Sequence, residues 1–194
     1  MRSGAPQVSG RAFLGLIRYI KDSRGAAMLA NVIQEAGDAA RSVFGAPIRV
    51  TAWHPYDAFT AFLVAADKRL GRGDPRFCRE LGDAAGRRDL NSIFRVYVAL
   101  ASAERLIRSC EKLWTSYYRN AGRMEAIRWR PDDTVLRIYD FSSMHPAHCR
   151  LMEGWMIATM AAIGFRVNDD ALESECTSRG GPYHEFRCTW TRAR

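Results

Sequence analysis

The sequence predicts an α+β fold: a helical N-terminal layer, then a β-hairpin, a helix and a second β-hairpin that together form a four-stranded antiparallel sheet. Three observations carry this expectation. Apolar residues recur at helical spacing through the first 120 residues, the period shortens after Gly122, and a Pro-started helix then separates two pairs of strand-like runs.

Residues 1–10, rich in Gly, Pro and Ser, read as a flexible tail, and residues 11–194 as a single domain. Phe13, Leu14, Ile17 and Ile20 mark a first helix; Met28, Leu29, Val32 and Ile33 mark another after Gly25. Pro55 opens a third, because its missing N–H is not needed at the first helical position, and Phe59, Phe62 and Leu63 follow until Gly71 and Gly73. Asp74 and Pro75 start a helix through Phe77, Cys78 and Leu81. After Gly86, Asp89 is placed to cap another carrying Ile93, Phe94, Tyr97 and Val98. Leu106, Cys110, Leu113, Trp114 and Tyr117 form the last helix of the layer.

Residues 124–130 and 134–141 are rich in β-branched and aromatic side chains and flank Pro131-Asp132-Asp133, a hairpin signal. His145 then sits at an N-cap with Pro146 behind it, and Met152, Trp155, Met156, Met160 and Ile163 repeat along one apolar stripe until Gly164. Residues 165–176 and 183–191 flank Gly180-Gly181-Pro182 as the second hairpin, with His184, Phe186, Cys188 and Trp190 alternating onto one face.

The formal charge of +8 comes from arginines spread over the chain with acids interleaved, so no dedicated nucleic-acid surface is expected. No apolar run is long enough to span a bilayer, and the N-terminus lacks the regions of a secretory signal, which places the chain in the cytoplasm. Reducing conditions there make the five cysteines core residues, metal ligands or reactive thiols rather than disulfides. Three of them, with three of the four histidines, fall in the last fifty residues. No GxxxxGKS/T loop, HExxH or local nucleophile motif occurs, so an enzyme is not expected.

Helices first, two strands, a helix holding Gly154-Trp155, and a closing hairpin with Cys176, Gly180-Gly181 and Cys188-Thr189-Trp190 resemble the 4-vinyl-reductase-like small-molecule-binding domains, whose fold is shared with TRAPP vesicle-tethering subunits. With Trp53-His54-Pro55-Tyr56 upstream, the chain is most similar to an uncharacterised myxobacterial paralogous family. The resemblance implies an apolar cavity between helices and sheet, drawing on Trp53, Phe59, Phe62, Tyr97, Trp114, Tyr117, Trp129 and Trp155, with His54 and Tyr118 orienting a small aromatic or lipid-like ligand. By likeness to aromatic-sensing domains it also implies a structural zinc held by Cys149, Glu173, Cys176 and Cys188. His184 and His145 are rival ligands, because strand alternation sets Cys176 opposite Glu173 unless the strand bends. Haem is not expected: the Tyr-x-Ser-x-Arg signature of haem-based nitric-oxide sensors is absent, and Ser116-Tyr117-Tyr118-Arg119 resembles it only superficially.

The expected function is a stand-alone, non-enzymatic sensory domain that binds a small hydrophobic or aromatic ligand and signals through a protein partner, itself a homodimer. The alternative is an interaction module, acting as a homodimer or adaptor without ligand.

Overall fold

A computed structural model describes residues 4–92, 102–168 and 172–193. Chain order is β1 (Gln7–Ser9), α1 (Gly10–Arg24), α2 (Ala26–Glu35), α3 (Gly37–Phe44), β2 (Trp53–Pro55), α4 (Tyr56–Leu70), α5 (Arg76–Ser92), α6 (Ala103–Arg108), α7 (Cys110–Tyr117), β3 (Tyr118–Arg119), β4 (Arg123–Trp129), β5 (Asp133–Tyr139), α8 (Pro146–Ala162), β6 (Phe165–Val167), β7 (Glu173–Glu175) and β8 (His184–Arg192).

The start of the chain is not wholly a tail. Gln7–Ser9 form the central strand of a small antiparallel sheet, with Val8 opposite both His54 and Tyr118. Val8 is fully buried, and Ser9 caps α1 by accepting from the Arg11 N–H at 3.3 Å, so apolar burial and a satisfied helix end together fix the segment.

The helix expected to stop at Gly86 does not stop there. α5 continues to Ser92, with Asp89 inside it rather than capping a successor. Gly86 is a packing position: a Cβ there would press on the Ala158 Cβ, and one at Gly82 or Gly154 would collide with the backbone of Leu151 or Arg79. α5 and α8 therefore lie close together, which only glycine at the crossing permits. The expected helix over Ile93, Phe94, Tyr97 and Val98 lies outside the described residues.

The main sheet has five strands rather than four, ordered β4-β5-β8-β6, with β7 also pairing with β8. The run 165–176 is divided in two. β6 pairs with the end of β8 (Val167 opposite Trp190) and β7 with its beginning (Glu173 opposite Phe186), so one long strand borders β5 on one side and two short strands on the other. α8 begins as expected, with His145 Nδ1 accepting from the Ala147 N–H at 3.1 Å and Pro146 behind it. No described helix is long and apolar enough to cross a membrane.

Candidate functional site

Where α5, α7 and α8 face β4, β5 and β8, side chains leave a cavity of about 90 Å³. Trp114 and Tyr117 enter from α7, Trp155 and Met156 from α8, and Met124, Leu136 and Cys188 from the sheet. Phe59 and Tyr118 also line it, and the lining is mostly apolar. Thr134 and Thr159 add hydroxyls, and Asp89 is the one ionisable carboxyl among the described lining residues. It is buried in the wall, accepts from Tyr117 Oη at 2.5 Å, and has its pKa raised by burial against the lowering effect of that hydrogen bond.

Phe59, Trp114 and Tyr118 also belong to a buried aromatic cage around His148. Its ring stacks at 6.0 Å on Trp114 and meets Tyr118 at 4.8 Å. Nδ1 is 3.0 Å from Tyr56 Oη and Nε2 is 2.8 Å from Tyr118 Oη, while Tyr56 Oη also accepts from the His145 N–H at 3.1 Å. Burial pushes the His148 pKa down to about 3, with His184 and His145 adding to the effect, so the ring is neutral at physiological pH.

A second buried cluster joins the first turn of α8 to the closing strands. Cys149 Sγ, a Glu173 carboxylate oxygen, Cys176 Sγ and a His184 nitrogen all lie within 4.8 Å of one another, a donor set that could hold a metal ion. Cys149 Sγ is 4.0 Å from Cys176 Sγ and 3.5 Å from His184 Nδ1. Burial raises the Glu173 carboxyl, but hydrogen bonds from His184, Cys149, Cys176 and Arg179 outweigh it and hold the pKa at about 2. Burial, then the neighbouring Glu173 charge, pushes the Cys149 thiol up. Without an ion the cluster is thus a carboxylate surrounded by donors.

The strand does bend before Cys176. Three residues of β7, Glu173 to Glu175, oppose two of β8, and this register shift brings Glu173 and Cys176 to one side despite their odd spacing. Cys188 is not in the cluster. It shares a strand face with His184, but four residues of strand separate them by about 13 Å, and Cys188 lines the cavity instead. His184, read as a rival to Glu173, stands beside it and where Cys188 was expected. His145 is occupied in capping α8.

Of the residues expected around a ligand, Phe59, Trp114, Tyr117, Tyr118 and Trp155 line the cavity, and His54 and Phe62 do not. Phe62 packs against Phe44 at 5.1 Å and His54 against Phe13 at 5.5 Å, on the α1–α3 side of α4. Trp53 lies under the Arg119 guanidinium at 3.9 Å, and Trp129 stacks on Trp190 at 5.6 Å, so both are occupied elsewhere. Tyr97 lies outside the described residues. Sequence reading passed over Asp89, Cys188 and Met124 as cavity residues; the alternation of β8 already marked Cys188 as inward-facing.

No family model and no curated protein matches the chain. Solved structures do. An H-NOX protein from S. oneidensis in the Fe(II) ligation state superposes with a TM-score of 0.73 at 10% identity, over 96% of this chain and 97% of that one. An oxygen-binding H-NOX domain related to soluble guanylate cyclases, in its oxygen complex, gives 0.67 at 11% identity over 95% and 96%. A structure described by haem redox potential and protein-induced porphyrin distortion gives 0.63 at 10% over 94% and 99%. At such identities the likeness is one of fold. It corrects the family read from the sequence: the architecture is that of H-NOX domains, not of 4-vinyl-reductase-like domains or TRAPP subunits. The expectation of structural zinc came with that resemblance and the expectation of no haem from an absent motif; both are corrected by the fold likeness, because proteins of this fold are described with haem and Fe(II).

Proposed function

We propose that this chain is a non-catalytic sensory domain whose cavity takes a small apolar molecule and whose occupancy is read by a partner protein. The observation that carries the reading is the cavity itself: about 90 Å³ between helices and sheet, with aromatic and aliphatic walls. Engineered apolar cavities of about 150 Å³ stay dry and bind benzene or xenon, so this one, with adaptable Met152, Met156 and Met160 in its wall, suits a gas molecule or a single aromatic ring. The H-NOX fold supports sensing, since a fold relative is described as binding oxygen.

The described residues do not fit a haem at this position. The four histidines are His54, His145, His148 and His184, and none of them lines the cavity. Burial raises the Cys110 thiol to about 11, which keeps it protonated, and the Tyr117 hydroxyl is committed to Asp89. Ligand pockets for larger molecules span roughly 300–1,000 Å³, well beyond the room here.

A ligand can act only through its differential affinity for two arrangements of the domain. α5 and α8 both line the cavity and touch through glycines, so any swelling of the cavity is passed to a helix crossing that has no slack. The test is the melting temperature of the purified protein across single-ring aromatics and xenon. A concentration-dependent rise is expected. A flat response to every probe, or stoichiometric haem uptake with a histidine-ligated spectrum, would overturn the reading.

A further inference from the structure

The hydrogen bonds of His148 decide which tyrosine hydroxyl has a proton to spare. A neutral imidazole carries one donor and one acceptor nitrogen, and each ring nitrogen of His148 faces one tyrosine hydroxyl. Among the described residues, the only other partner in this chain is the His145 N–H, which donates to Tyr56 Oη at 3.1 Å. Two arrangements are possible. With the proton on Nδ1, His148 donates to Tyr56, Tyr118 donates to Nε2, and the Tyr56 proton is left over. With the proton on Nε2, Tyr56 donates to Nδ1, His148 donates to Tyr118, and the Tyr118 proton is left over.

The two leftovers differ in surroundings. Tyr56 is 3% exposed, packed between Phe59 and Phe141 and absent from the cavity wall, so its proton would be buried without an acceptor, which carries a desolvation cost. Tyr118 is a wall residue and Tyr56 is not, so only the second arrangement leaves the spare proton on a residue that an incoming molecule meets.

We propose that the cavity is selective for small apolar molecules carrying one hydrogen-bond acceptor, such as a ring nitrogen or a carbonyl oxygen, received by the Tyr118 hydroxyl. His148 and Tyr56 are positioning residues, which commit that hydroxyl to donating by supplying a donor behind it. The ligand class follows from hydroxyl direction and rests on the cavity reading above.

Benzene and pyridine, nearly equal in size and compared at pH 8 where pyridine is uncharged, separate the two ideas. Wild type is expected to bind both. Tyr118→Phe should leave the benzene dissociation constant within about twofold and weaken pyridine about tenfold, the loss of one buried hydrogen bond. Tyr56→Phe, which alters nothing in the cavity wall, should also weaken pyridine selectively, because Nε2 is then free to accept from Tyr118 and take up its proton. In wild type, ¹⁵N shifts of His148 should show Nε2 protonated and Nδ1 bare. An unchanged pyridine-to-benzene ratio in Tyr118→Phe, or a proton on Nδ1, overturns this inference while leaving the cavity reading standing. Failure of wild type to bind either probe overturns both.

Discussion

Asp89 sets the charge state of the cavity wall. Burial raises its carboxyl pKa above the ordinary 3.8. A carboxyl whose folded pKa exceeds its unfolded one contributes stability that is fully present below the unfolded value and is lost as pH rises through the folded value. Asp89→Asn removes that titration and keeps an acceptor for Tyr117. The melting temperature of the variant relative to wild type should therefore climb as pH rises above the ordinary carboxylate value of 3.8, and a difference independent of pH would show that Asp89 does not titrate with a raised pKa. At this scale the sequence was partly legible. Aromatic residues at helical spacing led to Trp114, Tyr117 and Trp155, since spacing alone sets the inward face. Cys188 was placed in the cluster by likeness to aromatic-sensing domains; alternation puts it on one face with His184 but says nothing of distance along that face, and it is His184 that completes the cluster. The bulge in β7, which depends on pairing with β8, has no local signature.

Among the elements, the α5–α8 crossing governs how tightly the cavity is held. Gly154→Ala puts a methyl group into the Arg79 carbonyl of α5. The two helices must separate, at a cost of about 1–3 kcal/mol in urea unfolding, although alanine is the better helix former. Equal or greater stability would show that the helices are not in close contact. Periodicity revealed most elements because it reports burial of one face. It could not distinguish a glycine that ends a helix from one that admits a neighbour, and so α5 was cut short at Gly86. β1 was missed for a related reason: three residues hold no period, and only pairing with β2 and β3 makes them a strand.

For the whole molecule, the order of hairpin, helix and hairpin was sufficient for the α+β class, because those stripes can be buried together in few ways. It was not sufficient for the family. Gly154 serves the α5–α8 packing, so a short pattern built on it does not single out a family, and fold relatives share the architecture at 10% identity. Sensing by this domain requires a cavity that is accessible to ligand. Calorimetric titration of benzene into wild type and into Met156→Trp, whose larger side chain fills the space, tests this most directly. Saturable one-to-one binding to wild type, with a negative heat-capacity change, and none to the filled variant is the predicted result. Equal heats for both proteins, or no binding by either, would contradict it.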